Sequence, residues 1–178
     1  MQSEGDDMLK EKIKIRGTIV AVLRDVETGK IERHITKNVV TDKGDEYYAQ
    51  MAVGETPDVD FPAGGLKLGD DDTTPTKSDA DVNNYLSGTY KGVFAGYPKT
   101  NDSDPLNGYG GKEVATWRYF YDTSEANEVG IVEGAIVDDE SFPTAALTHF
   151  LFDSAFDKTS KQTLTIFINH EFSGIFMV

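Results

Sequence analysis

Between residues 13 and 36 the chain alternates apolar and polar side chains with a period of two. Ile13, Ile15, Ile19, Ala21 and Leu23 fall on one side, and Lys14, Arg16, Thr18 and Arg24 on the other. Successive side chains of a strand point to opposite faces, so this pattern requires extended backbone with one buried face and rejects a helix. The segment VETGK follows, in which Gly29 can take the positive φ of a tight turn. Ile31 and Ile35 then alternate with Glu32, His34 and Thr36. The stretch predicts a β-hairpin of about two dozen residues.

The same period returns in the second half. EVATWRYFY places Ala115, Trp117, Tyr119 and Tyr121 on one face. TLTIFINHEF places Leu164, Ile166, Ile168, His170 and Phe172 opposite Thr163, Thr165, Phe167, Asn169 and Glu171. VGIVEGAIV and ALTHFLFDSAF read as strands, LKLG as a very short one, and SGTYKGVFAG as a strand broken by glycines. One segment departs from the pattern. In NVVTDKGDEYYAQMAVGE, Thr41 or Asp42 can cap a helix, Asp45 and Glu46 suit its positive end, and Gly54 offers a stop. This predicts one short helix near residues 42–53. About eight strands with a single helix predict an all-β fold, an antiparallel β-sandwich of jelly-roll-like arrangement. Residues 1–10 are polar and read as an N-terminal arm, and 11–178 as a single domain.

Composition narrows the partners. The net charge is −14, which repels nucleic acid and anionic membranes. No apolar run reaches membrane-spanning length, and MQSEGDDMLKEK is too polar for a signal peptide. With no cysteine, the chain has no thiol nucleophile, disulfide framework or thiolate zinc site, in keeping with assembly in a reducing cytosol.

The stretch GGLKLGDDDTTPTKSDADV concentrates aspartates after a short apolar segment. Closely spaced carboxylates can supply calcium with oxygen ligands, which makes Asp70, Asp72, Asp79 and Asp81 the weak metal candidates. The EF-hand spacing is absent, so a solvated acidic loop is the simpler reading, and no cofactor is expected. His34, His149 and His170 lie on predicted strands without metal-ligand spacing. Neither a nucleophile elbow nor a phosphate-binding P-loop is present, so no catalytic residue stands out. Abundant acids alone are the only sign of a hydrolase. Trp117, Tyr119 and Tyr121 offer an aromatic platform for a sugar-binding adhesin module, with calcium at the aspartate loop as its complement; core packing is the competing role for the same strand. The long loop YPKTNDSDPLNGYGG and the apolar end GIFMV are the contact candidates: Tyr97, Pro98, Leu106, Tyr109, Ile175, Phe176, Met177 and Val178.

The order of four motifs resembles a group of tailed-bacteriophage virion structural proteins, described as minor capsid, decoration or tail accessory proteins. The motifs are NVVTDKG (Asn38 to Gly44), LGDDDTTPTKSDADV (Leu68 to Val82), EANEVG (Glu125 to Gly130) and the closing FDKTSKQTLTIFINHEF (Phe156 to Phe172). The aspartates after Gly69 stand where the group carries Gly-Thr, and FIN stands where it carries a tryptophan. The resemblance implies a non-enzymatic β-rich subunit in the virion, assembled in the host cytoplasm. Its partners would be other virion proteins and further copies of itself.

Overall fold

A computed structural model describes residues 15–172. Eight strands and one helix follow in chain order: β1 (Arg16–Asp25), β2 (Ile31–Val40), α1 (Asp42–Ala52), β3 (Gly65–Gly69), β4 (Lys91–Gly92), β5 (Val114–Tyr121), β6 (Ile131–Val137), β7 (Ala146–Phe156) and β8 (Gln162–Glu171). Every pairing is antiparallel. The all-β reading and the single helix are therefore borne out. The N-terminal arm, Ile13 and the apolar end from Ile175 to Val178 lie outside the described residues.

The strands form one sheet in the order β4-β3-β6-β7-β2-β1-β8-β5. A sandwich would divide them between two sheets. Here β1 pairs along its whole length with β2 on one side and β8 on the other, so the sheet is continuous across its middle. It also curls until its ends meet. Beyond β4 the Phe94 amide donates to the Arg118 carbonyl at 2.8 Å, and Lys99 and Thr116 exchange both backbone bonds at 3.0 and 2.8 Å. The body is thus nearly a barrel, and β5 is left with little open edge.

The interior holds alternate residues of each strand. Ile19, Ala21 and Leu23 meet Leu66, Leu68, Trp117, Tyr119, Tyr121, Ile166 and Ile168 in one core. Register decides which face of β2 turns inward, and it reverses the polarity read from the hairpin. His34 pairs with Ala21, which faces the core, while Ile35 pairs with Val20, which faces outward. His34 is consequently buried and stacks on Phe156 at 4.6 Å, whereas Ile31 and Ile35 remain 45% and 43% exposed.

The helix forms where the cap predicted it. Thr41 is the N-cap: its Oγ1 accepts from the Gly44 amide at 3.0 Å and itself donates to the Ala146 carbonyl. Gly44 is required there, because a β-carbon would run into the Leu147 carbonyl. The helix packs at the end of the body where β2 stops and β7 starts, with Tyr47 edge-on to Phe61 at 5.4 Å.

Candidate functional site

Two long loops fold down onto the outer face of the sheet, each held by a buried polar cluster. The first is the aspartate-rich segment 70–90. Glu133, on β6, is fully buried and accepts the amides of Asn83 and Asn84 at 2.9 and 2.8 Å. Its Oε2 also lies 2.9 Å from His149 Nε2, and His149 Nδ1 lies 2.6 Å from Asp79 Oδ2. Both imidazole nitrogens face carboxylates, so both carry protons. Burial works against the imidazolium, but the bonds to Glu133 and Asp79 outweigh it and raise the His149 pKa. For Asp79, burial is outweighed in the same way by bonds from Thr76 and His149, which lower its pKa. Nearby, buried Lys67 donates to Asp81 at 2.8 Å and sits 4.3 Å above the Tyr85 ring.

These contacts reassign the metal candidates. Asp79 and Asp81 neutralise two buried cations of the protein's own sheet. Asp70 binds the Asn84 side chain at 2.5 Å, and Asp72 is exposed. Among the described residues, no group of three or more His, Cys, Asp or Glu side chains is arranged to hold a metal ion. Gly69 begins the crossover because a β-carbon there would strike Glu133 and the Asn84 carbonyl.

The second loop, residues 97–111, covers β1 and β8. Leu106 packs on Val20, Val22 and Phe167. Asn107 and Asn169 form a reciprocal amide pair at 2.8 and 2.9 Å, and Asn107 also donates to Asp102 at 2.9 Å. Tyr97 Oη donates to Asp102 at 2.7 Å, and Arg33 holds the Leu106 carbonyl at 2.7 Å. Leu106 thus packs on the sheet and Tyr97 bonds within its own loop, and both, like Pro98, are half-buried. Of the loop's contact candidates, Tyr109 alone stays open, 42% exposed. It borders a shallow polar hollow with Glu113, Asn169 and Glu171.

The third feature is an apolar groove of about 260 Å³ at the helix end, lined chiefly by Tyr47, Tyr48, Met51, Pro98, Ala115 and Trp117. Behind it a neutral histidine organises the wall. His170 is fully buried, and burial drives its pKa down to about 3. Its Nδ1 lies 2.6 Å from Tyr48 Oη and its Nε2 lies 2.8 Å from Asn38 Nδ2. The Asn38 amide donates to His170 Nε2 and Thr148 Oγ1, which leaves the imidazole proton on Nδ1 facing Tyr48. Trp117 Nε1 donates to the same Tyr48 oxygen at 3.0 Å. Trp117, Tyr119 and Tyr121 are at most 1% exposed. They pack the interior instead of forming the open aromatic platform that stacking on a sugar requires.

Sequence reasoning missed Glu133 and the pairing of His149. The signal was present: Glu133 is the one titratable residue of β6 and His149 stands in the apolar first half of β7, positions tolerated only with a partner. No protein-family model matches the chain, and neither a curated protein nor a solved structure does.

Proposed function

We propose that this chain is a non-enzymatic structural subunit of a tailed-bacteriophage particle, a capsid-decoration or neck or tail accessory protein that binds other virion proteins and copies of itself. One observation carries the reading: the residues behind the motif resemblance are those that this fold uses to build itself. In NVVTDKG, Asn38 bonds Thr148 and His170, Thr41 caps α1, and Gly44 admits the Leu147 carbonyl. In the aspartate-rich motif, Gly69 leaves room for Glu133 and the Asn84 carbonyl, and Asp79 reaches buried His149. In EANEVG, the Glu128 carbonyl accepts the Lys158 amide and Gly130 takes a φ of +75°. Motifs of this kind fix a scaffold, which is what a repeated particle subunit carries from one member to the next.

We read the pairing of the strands as jelly-roll-like. β1 pairs with β8, β2 with β7 and β3 with β6, and the chain after β4 bonds to β5. Such nesting of first with last supports a jelly-roll-like reading, in a body whose strands form one nearly closed sheet. With both long loops fastened down, the contact surface falls to side chains that still project, Tyr109 and the 82% exposed Phe142 among them. The net charge of −14 keeps free copies soluble before assembly. Mass spectrometry of gradient-purified particles tests the proposal. The chain is expected at a fixed stoichiometry in intact virions, and its absence from particles while abundant in the infected-cell lysate refutes it.

A further inference from the structure

The turn between β7 and β8 is fastened to the turn before β6, and a lysine is buried where they meet. The Lys158 amide donates to the Glu128 carbonyl at 2.9 Å, and the Gly130 amide donates to Asp157 Oδ1 at 2.9 Å. The Lys158 side chain is only 2% exposed. Among the described residues its Nζ makes one hydrogen bond, to Asn127 Oδ1 at 2.9 Å, and no ion pair. A buried ammonium calls for several acceptors or a carboxylate, and this site offers a single amide oxygen. Burial accordingly lowers the Lys158 pKa, against the more distant charges of Asp122 and Glu125. The neutral amine so favoured is a nucleophile.

Asn127 is placed to receive it. Its Nδ2 donates to the Thr123 carbonyl at 3.0 Å, which turns Oδ1 toward the lysine, and the residue is exposed, so a departing nitrogen reaches solvent. Ala126 before it takes a φ of 49°, a left-handed backbone that alanine adopts only under constraint. The carboxamide carbon lies one C=O bond beyond Oδ1, within about 4.1 Å of the amine, and a small side-chain rotation brings the pair to the roughly 3–3.5 Å from which attack proceeds.

We propose that Lys158 and Asn127 join covalently, forming an isopeptide bond within the chain. The Nζ–Cγ bond forms and the Cγ–Nδ2 bond breaks. One Nζ proton passes to Nδ2, the nitrogen leaves as ammonia, and nothing is oxidised or reduced. The link closes β6 and β7 into a covalent ring, a cross-link that a chain without cysteine cannot make as a disulfide. It does not depend on the virion reading.

Intact mass spectrometry of the full folded chain, held at mildly alkaline pH, tests the proposal. The expected mass is that of the sequence less one ammonia, and digestion should yield a branched peptide pair joined through Asn127 and Lys158. The full sequence mass overturns the proposal. An ammonia loss without the branched pair also overturns it, because cyclisation of Asn107 before Gly108 releases the same ammonia. Lys158→Arg is expected to keep its full sequence mass. Since replacing a buried lysine can unfold the chain, Asn127→Ser changes the exposed partner instead. A chain folded by circular dichroism and at full sequence mass is expected, and a folded Asn127→Ser chain that still loses ammonia refutes the proposal.

Discussion

Replacing Glu133 with alanine is the sharpest probe of how the aspartate-rich loop is held. The carboxylate is fully buried and gathers three donors: the Asn83 and Asn84 amides at 2.9 and 2.8 Å and His149 Nε2 at 2.9 Å. Its removal leaves a buried imidazolium facing Asp79 alone, and two backbone amides without acceptors. Deleting one partner of a buried ion pair costs about 3–5 kcal/mol. Each orphaned amide adds about 1–3 kcal/mol unless water reaches it. The loop can relieve the amide penalty by lifting into solvent, so the expected net loss is about 4 kcal/mol. That is a large share of the roughly 5–15 kcal/mol that holds a domain folded. In a protein of this size it lowers the melting temperature by about 10 °C. Urea unfolding gives the loss, and amide hydrogen exchange locates it: Asn83 and Asn84 should lose protection before the strands do. Glu133→Gln keeps the shape and removes the charge, and is expected to cost less than the alanine variant. A loss below about 1 kcal/mol for Glu133→Ala, with Asn83 and Asn84 still protected, would refute the reasoning.

Three further outcomes follow from the same geometry. Tyr119 Oη is buried without a hydrogen-bond partner, so Tyr119→Phe is expected to leave stability unchanged or raise it by up to about 1 kcal/mol in urea unfolding. Asn107→Ala removes one donor from Asp102 and one donor and one acceptor from Asn169, while Tyr97 still serves Asp102 and Thr116 and the Thr18 carbonyl still serve Asn169, and it is expected to cost about 1–2 kcal/mol with faster hydrogen exchange across residues 97–111. Because Asp79 and Asp81 already serve His149 and Lys67, millimolar calcium is expected to leave the melting temperature unmoved, and a clear rise would restore the loop as a metal site.

Strand periodicity was legible because burial on one face imposes it, and the helix was legible because Thr41 and Gly44 mark its start. The inward face of β2 was not. Ile31 and Ile35 look like core residues until the pairing of Ile35 with Val20 turns them outward, and that register depends on a partner strand. The apolar character of both faces of TIVAVL and LTIFIN had a cause the chain did not reveal locally. Val20, Val22 and Phe167 are covered by Leu106, more than sixty residues away from any of them. The aspartate loop misled for a related reason. Its acids look solvated when counted together, yet two of them answer buried cations on β3 and β7, and only a view of the sheet pairs Asp79 with His149.

The two fully buried histidines also set an expectation for pH. His170 titrates near 3 when folded, against the usual 6.5, because burial disfavours its charge and its ring nitrogens meet only Tyr48 and Asn38. As pH falls below 6.5 the unfolded chain takes up a proton that the native His170 refuses. Stability then declines by about 1.4 kcal/mol per pH unit. His149 has the opposite sign. Its folded pKa lies above 6.5, held there by Glu133 and Asp79 against the cost of burial. Its contribution is fully present below the unfolded value and is lost as pH rises through the folded one, because the unfolded chain releases its proton first. The lowered carboxyls, Asp79 and Asp102 among them, contribute above their unfolded value of 3.8 and lose that contribution as pH falls through their folded values, which lie below it. Thermal melts between about pH 4.5 and 8.5 should therefore pass through a maximum near neutrality, with one histidine on each side of it. His149→Gln is expected to flatten the alkaline limb and His170→Gln the acid limb, each at some cost in overall stability. A melting temperature that rises steadily across this range in the wild-type chain would contradict the charged state assigned to His149, and with it the ion pair that fastens the loop to the sheet.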